Sequence, residues 1–225
     1  MRTAEHPNLH SPQQARPSAL AGGDLRRALL VWLLSLLICA VAVTVAFVYF
    51  DVPVALYISG FFPRSETLTR GFASVVLLAI EAAVVLALII LRIRRGHLSP
   101  FRETVALACL ASICAYAIND GTLKYFFGVP NPSALVDGAR HTFHLLGGSP
   151  NSSFPSGHMV LAGSFAAVFM RMYRRSILPF SALLLLAALL LVGGEWHFVS
   201  DVLAGTFLGI TAGLLAGEVW LAHTR

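Results

Sequence analysis

The chain has 225 residues, of which 57% are hydrophobic and 12% charged. A soluble domain carries about 25% charged residues, so the composition excludes an ordinary soluble domain and points to a membrane protein. The net charge of +5 does not call for a nucleic-acid partner, because its distribution along the chain reads as a topology signal.

Residues 1–24 contain Pro7, Pro12, Pro17 and the Gly22-Gly23 pair and show no periodicity. They are expected to form a flexible cytoplasmic tail, with the membrane domain following over 25–225. The run Ala28–Phe50 is free of charge. It is too long for the apolar core of a signal peptide, about 7–15 residues, and matches the roughly 20 residues that span a bilayer. Five more spans are expected: Gly71–Leu91, apolar apart from Glu81; Thr104–Phe127, with Asn119, Asp120 and Lys124 toward its end; the short Gly157–Met172, whose terminal arginines would snorkel to the interface; the leucine-rich Ile177–Val192; and the glycine-rich Val202–Ala222. Glu81, in mid-span, must face protein or water, and a helix-pairing role is expected for it. The three cysteines, Cys39, Cys109 and Cys114, all fall in apolar runs. An odd count at membrane depth argues against a disulfide framework.

Six spans place both termini on one side. The tail, the loop around Arg92–Arg102, the loop around Arg171–Arg175 and Arg225 hold most of the Lys and Arg; Arg64, Arg70, Lys124 and Arg140 fall on the other side. The positive-inside rule assigns the termini to the cytoplasm. The long loop near Gly128–Phe154 then lies outside, together with Gly193–Asp201. The expected fold is an all-α, integral membrane bundle of six transmembrane helices with its site at the outer face of the cytoplasmic membrane.

Three helix ends bring polar residues to that face: Lys124, "FPSGH" at Phe154–His158, and "HFVSD" at His197–Asp201. Pro155 and Ser156 are helix start signals, and Gly157 permits close backbone approach. A helix N-terminus with unpaired N–H groups is a ready anion site, and His158 stands in its first turn. The same residues also describe an ordinary cap. His197 and Asp201, at i and i+4, share one face of a helix, so the carboxylate can hold Nδ1–H and leave Nε2 free to react; equally, Ser200 or Asp201 can cap the last helix. Asp120 precedes Lys124 by four residues, the favoured order for a helical ion pair, which does not exclude an anion as a further partner of the lysine.

Taken together, "KYFFGVPNP", "FPSGH" and "HFVSD" resemble the three signature motifs of the type-2 phosphatidic acid phosphatases, the membrane branch of a superfamily that includes the vanadium haloperoxidases. The second motif is complete and the third keeps its His-x-x-x-Asp half. The resemblance implies that His197 attacks phosphorus, that Asp201 orients it, and that His158 protonates the leaving alkoxide. It also implies that Lys124 and the backbone near Ser156 and Gly157 hold the phosphoryl oxygens, with no metal or other cofactor. In-line attack, charge neutralisation and a proton for the leaving group are what phosphoryl transfer needs.

Two departures bear on activity. Asn131 stands where the first motif has arginine, and Leu190-Leu191 stand where the third has Ser-Arg. Removing a donor aimed at the transition state costs on the order of 10²–10³ in rate. Either activity is weak, another cation substitutes, or the substrate carries less charge. Asn131 is retained as a phosphate-site residue by position. Arg140 in "GARHTFH" is a candidate substitute, equally readable as a solvated loop charge. His141 and His144 offer a minor alternative as zinc ligands with His158 and His197. The glycines at i+4 spacing after Asp201 (Gly205, Gly209, Gly213, Gly217) are expected to let the last helix pack closely, and Trp196 to anchor at the interface.

The expected activity is that of a membrane lipid phosphatase acting on a lipid phosphate or diphosphate through a phosphohistidine. Two alternatives stand beside it: a lipid phosphotransferase acting on a diester or pyrophosphate lipid, and a non-catalytic lipid-binding or transport protein on a decayed phosphatase scaffold.

Overall fold

The computed structural model describes residues 20–61 and 67–224, and its regular elements there are all helical. The expected tail as far as residue 19, and Arg64, lie outside the described residues. Helix α1 begins at Leu20 and runs to Val45, so residues 20–24, expected in the tail, are helical. A π-helical turn, Ala46–Phe50, links α1 to α2 (Asp51–Ser59). Then come α3 (Thr67–Arg95), α4 (Pro100–Ile118), a second π-helical turn (Asn119–Leu123) and α5 (Lys124–Phe127). The chain continues through α6 (Pro132–Val136), α7 (Gly157–Met172), α8 (Ile177–Gly193) and α9 (Val199–Thr224).

Five helical stretches are long and apolar enough to cross a membrane: Arg26–Ser59, Phe72–Arg95, Pro100–Leu135, Arg174–Gly193 and Val199–Thr224. The protein is therefore an all-α, multi-pass membrane protein. The expected fourth span, α7, is shorter, at 16 residues. At 1.5 Å per residue it reaches about 24 Å, less than the roughly 30 Å of a bilayer core.

The chain divides into two compact units, Met1–Leu37 and Ile38–Arg225. The first, from Leu20 on, is the opening part of α1. The second contains the site, and its centre is α7, which packs most extensively against α9 and then against α4. The glycine stripe accounts for that closeness. A Cβ on Gly209 would stand 2.7 Å from the Val160 carbonyl oxygen, one on Gly213 would stand 2.8 Å from Ala167 Cβ, and one on Gly217 would stand 3.0 Å from Arg171 Cγ. These separations are below ordinary van der Waals contact, so small residues are what let the two backbones meet. The stripe drifts by about 40° per member at 3.6 residues per turn, yet Gly205, Gly209, Gly213 and Gly217 are all buried against α7.

Two charged residues read from the sequence find partners in this bundle. Glu81 on α3 takes the Ser112 hydroxyl of α4 at 2.9 Å, and the same hydroxyl lies 3.1 Å from the Leu161 carbonyl of α7. The expected helix-pairing role follows from this bridge. Arg171, expected to snorkel, forks onto Glu218 near the ends of α7 and α9, with Nε–Oε1 at 2.5 Å and Nη2–Oε2 at 3.0 Å.

Candidate active site

The second motif opens α7 as its residue types dictate. Ser156 is the N-cap, and its hydroxyl accepts the Met159 N–H at 3.4 Å, a local alternative to water for one orphan donor of the first turn. The preceding Phe154–Pro155 peptide bond is cis, and Asn119 donates from Nδ2 to the Pro155 carbonyl at 3.2 Å. Ser156 is fully buried, and its own N–H donates to the Asp201 carbonyl at 3.1 Å. The Ser156 amide thus ties the start of α7 to α9. Gly157 follows as the first residue of α7. A Cβ there would meet the Tyr116 ring at 2.9 Å, so its missing side chain makes room for Tyr116 packed against the start of α7.

The third motif follows the end of α8. Gly194 N–H donates to the Leu190 carbonyl at 2.8 Å, and Trp196 and His197 donate to the Leu191 carbonyl at 3.0 and 3.2 Å. Glu195 adopts φ of 56° to make the turn, an uncommon conformation for a residue with a side chain. His197 therefore precedes α9 rather than sharing a helical face with Asp201, yet the two still meet: His197 Nδ1 lies 3.4 Å from Asp201 Oδ2. That oxygen also accepts the Phe198 N–H at 2.8 Å. Asp201 is the third residue of α9, and a carboxylate there reaching back to the N–H just before the helix is half of a capping box. The side chain that caps α9 is thus also the one that approaches His197 Nδ1.

The two histidines converge. His158 Nδ1 lies 3.3 Å from His197 Nε2, and His158 Nε2 lies 3.0 Å from the Ser74 hydroxyl of α3. A cavity of about 260 Å³ opens in front of them, with Lys124, Asp120, Tyr116, Ser74 and Asn131 in its wall. Lys124 Nζ is 2.5 Å from Asp120 Oδ1 and 3.4 Å from the Pro150 carbonyl, as the spacing of the acid and the lysine predicts. Asn131 caps α6: its Oδ1 accepts from Ser133 Oγ at 2.6 Å and from Ala134 N–H at 3.0 Å. The amide NH₂ is then its group with donors to offer the cavity. Trp196, expected as an interfacial anchor, lines the cavity, its ring centroid 5.3 Å from that of His158.

Arg140 is not brought to this place. It is exposed and absent from the cavity wall, so among the described residues Lys124 is the Lys or Arg that lines it. Nor do His141 and His144 join His158 and His197. His141 Nε2 lies 3.1 Å from Asp51 Oδ2, and its ring stacks on Phe47 at 4.1 Å. Among the described residues no group of three or more His, Cys, Asp or Glu is arranged to hold a metal ion.

Sequence reasoning missed Asp51, Ser74 and Tyr116. Asp51 is 1% exposed and caps α9 from across the chain. Its Oδ1 accepts the Ser200 N–H at 2.9 Å, and its Oδ2 accepts the Ser200 hydroxyl. A lone aspartate after a long apolar run was the available signal, since a charge at that depth calls for a partner.

The sequence model of the PAP2 superfamily matches residues 104–224, more than half of the chain. The chain belongs to the PAP2 superfamily. No curated protein and no solved structure matches it significantly. Membership in the PAP2 superfamily supports a phosphatase-type function. The match covers α4 to α9 and all three motifs, but stops short of Ser74 and Asp51. Where the third motif is expected to carry Ser-Arg, Leu190 is exposed and Leu191 is buried in the apolar cluster with Met159, Leu184 and Val202.

Proposed function

We propose that the protein is a membrane lipid phosphatase that releases phosphate from a lipid phosphate or diphosphate through a phosphohistidine. One observation carries the reading: the reactive nitrogens of His197 and His158 face each other at 3.3 Å beside a cavity walled by Lys124. A phosphoryl group held in that cavity would have a nucleophile and a proton donor within reach. His197 Nε2 attacks phosphorus; the N–P bond forms as the bond to the lipid oxygen breaks, and His158 Nδ1 gives its proton to that oxygen. Water then passes a proton back to His158 Nδ1 and displaces the imidazole, freeing inorganic phosphate. Lys124 neutralises charge on the phosphoryl oxygens, and Asp201 orients His197 and stabilises its cationic form. No step requires a metal ion. The site would sit at the outer face of the cytoplasmic membrane, with both termini inside.

A second reading, phosphotransfer from a diester or pyrophosphate lipid, is favoured by one feature. Lys124, the cation of the wall, already has Asp120 at 2.5 Å, which suits a phosphate with fewer charges. The test is purified protein in detergent with a panel of lipid phosphates, beside His197→Ala. The expected result is release of inorganic phosphate, reduced by more than about 10³-fold in the variant. Radiolabel moving to another lipid instead of to inorganic phosphate supports transfer. Neither release nor transfer from any lipid overturns both readings.

A further inference from the structure

Between Arg140 and Arg171 the chain has no Asp, Glu, Lys or Arg. The first part of that stretch is the loop leading to α7, and its tip is the pair Leu145-Leu146. Leu145 is 64% exposed and Leu146 82%, the highest value among the exposed large apolar side chains of the described residues. A lone exposed leucine is ordinary. Here two neighbours are held out by the backbone. Gly147 N–H donates to the His144 carbonyl at 2.8 Å, which closes a tight turn with the two leucines at its centre. Leu146 takes that turn at φ of 61°, a left-handed position that turns normally give to glycine or asparagine. A bulky side chain is uncommon there, so the turn presents a large apolar group where local preference would not choose one.

The tip is strapped to the end of a membrane-crossing stretch. The N–H groups of His144, Leu146 and Gly148 donate to the carbonyls of Phe127, Phe126 and Tyr125 at 3.0, 2.8 and 3.0 Å. Those carbonyls end α5, where helix geometry leaves the last oxygens without a partner. Tyr125, Phe126 and Phe127 fall within Pro100–Leu135, which is long and apolar enough to cross a bilayer. Tyr125 and Phe126 are themselves exposed, as is Phe143 beside the tip. The same bonds remove the chief obstacle to leaving water. A backbone N–H without a partner is costly to place in hydrocarbon, and those of His144, Leu146, Gly147 and Gly148 are all taken within the protein.

We propose that Leu145 and Leu146 form a lipid-contact surface, inserted among the acyl chains of the leaflet on the side of the site. The occupant is the bilayer that the helices cross. Burying one leucine side chain favours insertion by about 10-fold or more, and no charge in the tip opposes it. The consequence for the site lies a few residues further on. Pro150, Asn151, Ser152 and Ser153 line the cavity, and the Pro150 carbonyl is 3.4 Å from Lys124 Nζ. A tip seated in acyl chains holds that wall near headgroup depth, the level at which the phosphate of an embedded lipid lies. This consequence rests on the phosphatase reading above; the insertion itself does not.

The test places a tryptophan at the tip of the full chain in phosphatidylcholine vesicles and reads the emission it adds to that of the wild type. Leu146→Trp is expected to add a blue-shifted emission that brominated acyl chains quench more than iodide supplied on both sides of the bilayer. Asp137→Trp, at an exposed polar position earlier in the same loop, is the aqueous reference, with iodide the stronger quencher. Iodide as the stronger quencher at position 146 puts the tip in water. Quenching by neither agent puts it against protein, of this chain or of a second copy. Either result overturns the proposal. Leu145→Trp avoids the left-handed position, so a Leu146→Trp that fails to fold still leaves a decisive variant. The readout needs no turnover: a chain that hydrolyses no lipid phosphate overturns the phosphatase reading, while the quenching alone decides the insertion.

Discussion

The two histidines of the site are supported by two unlike walls. On the His197 side, Asp201 is fully buried, touches its histidine directly and also caps α9, while Asp51 caps the same helix from α2 at 1% exposure. On the His158 side, the Ser74 hydroxyl lies 3.0 Å from Nε2, and Asp120, with 28% of its side-chain surface open, shares its charge with Lys124 in the cavity wall. The first wall is made of the contacts that close α7 on α9, so the chemistry there depends on the core. The second faces the cavity, and its groups can change without opening a packed interface. A nucleophile needs a fixed line of attack, whereas a proton donor and a phosphate clamp can adjust to a substrate that enters between them.

That contrast breaks or holds under substitution. The largest effect is expected for Asp51→Ala, which leaves the Ser200 N–H and hydroxyl and the His141 ring without their buried acceptor. A loss of about 3–5 kcal/mol is expected, read as an earlier unfolding transition in detergent, with activity falling in step. If Asp51→Ala unfolds like the wild type, the buried wall does not carry stability as described. Lys124→Ala should behave in the opposite way: phosphate release falls by about 10²–10³-fold, while thermal unfolding shifts little, since the lysine stands at a cavity. Comparable losses of stability in both variants would erase the distinction between the walls. The smallest effect is expected for Arg140→Ala. Arg140 is exposed and outside the cavity wall, and a surface change of this kind stays within about 0.5 kcal/mol. Its phosphate release should stay within about 2-fold of wild type, and a large drop would mean that the 137–148 loop reaches the substrate.

The places where sequence reasoning succeeded share a physical cause. Apolar runs, a Ser N-cap, an i,i+4 acid–lysine pair and a glycine stripe are local patterns, each read within a few turns of one helix. They produced the all-α membrane fold, the start of α7, the Lys124–Asp120 pair and the close packing of α7 on α9. Arg140 stands outside the cavity wall for the converse reason: its charge was legible, but the path of the loop that carries it was not. His197 shows both sides. Its spacing from Asp201 suggested a shared helical face; the structure puts it in the turn before α9, held by the Leu191 carbonyl, and the contact survives by another route.

Hydropathy and motif spacing are written along one dimension, so the membrane character of the chain and its candidate site residues are legible in the sequence. What stands behind those residues is set by how the helices pack. Asp51 reaches Ser200 across 149 positions, and Ser74 reaches His158 across 84. A buried carboxylate or hydroxyl must find a partner wherever the packing of helices leaves one, and no local pattern records which helix that is.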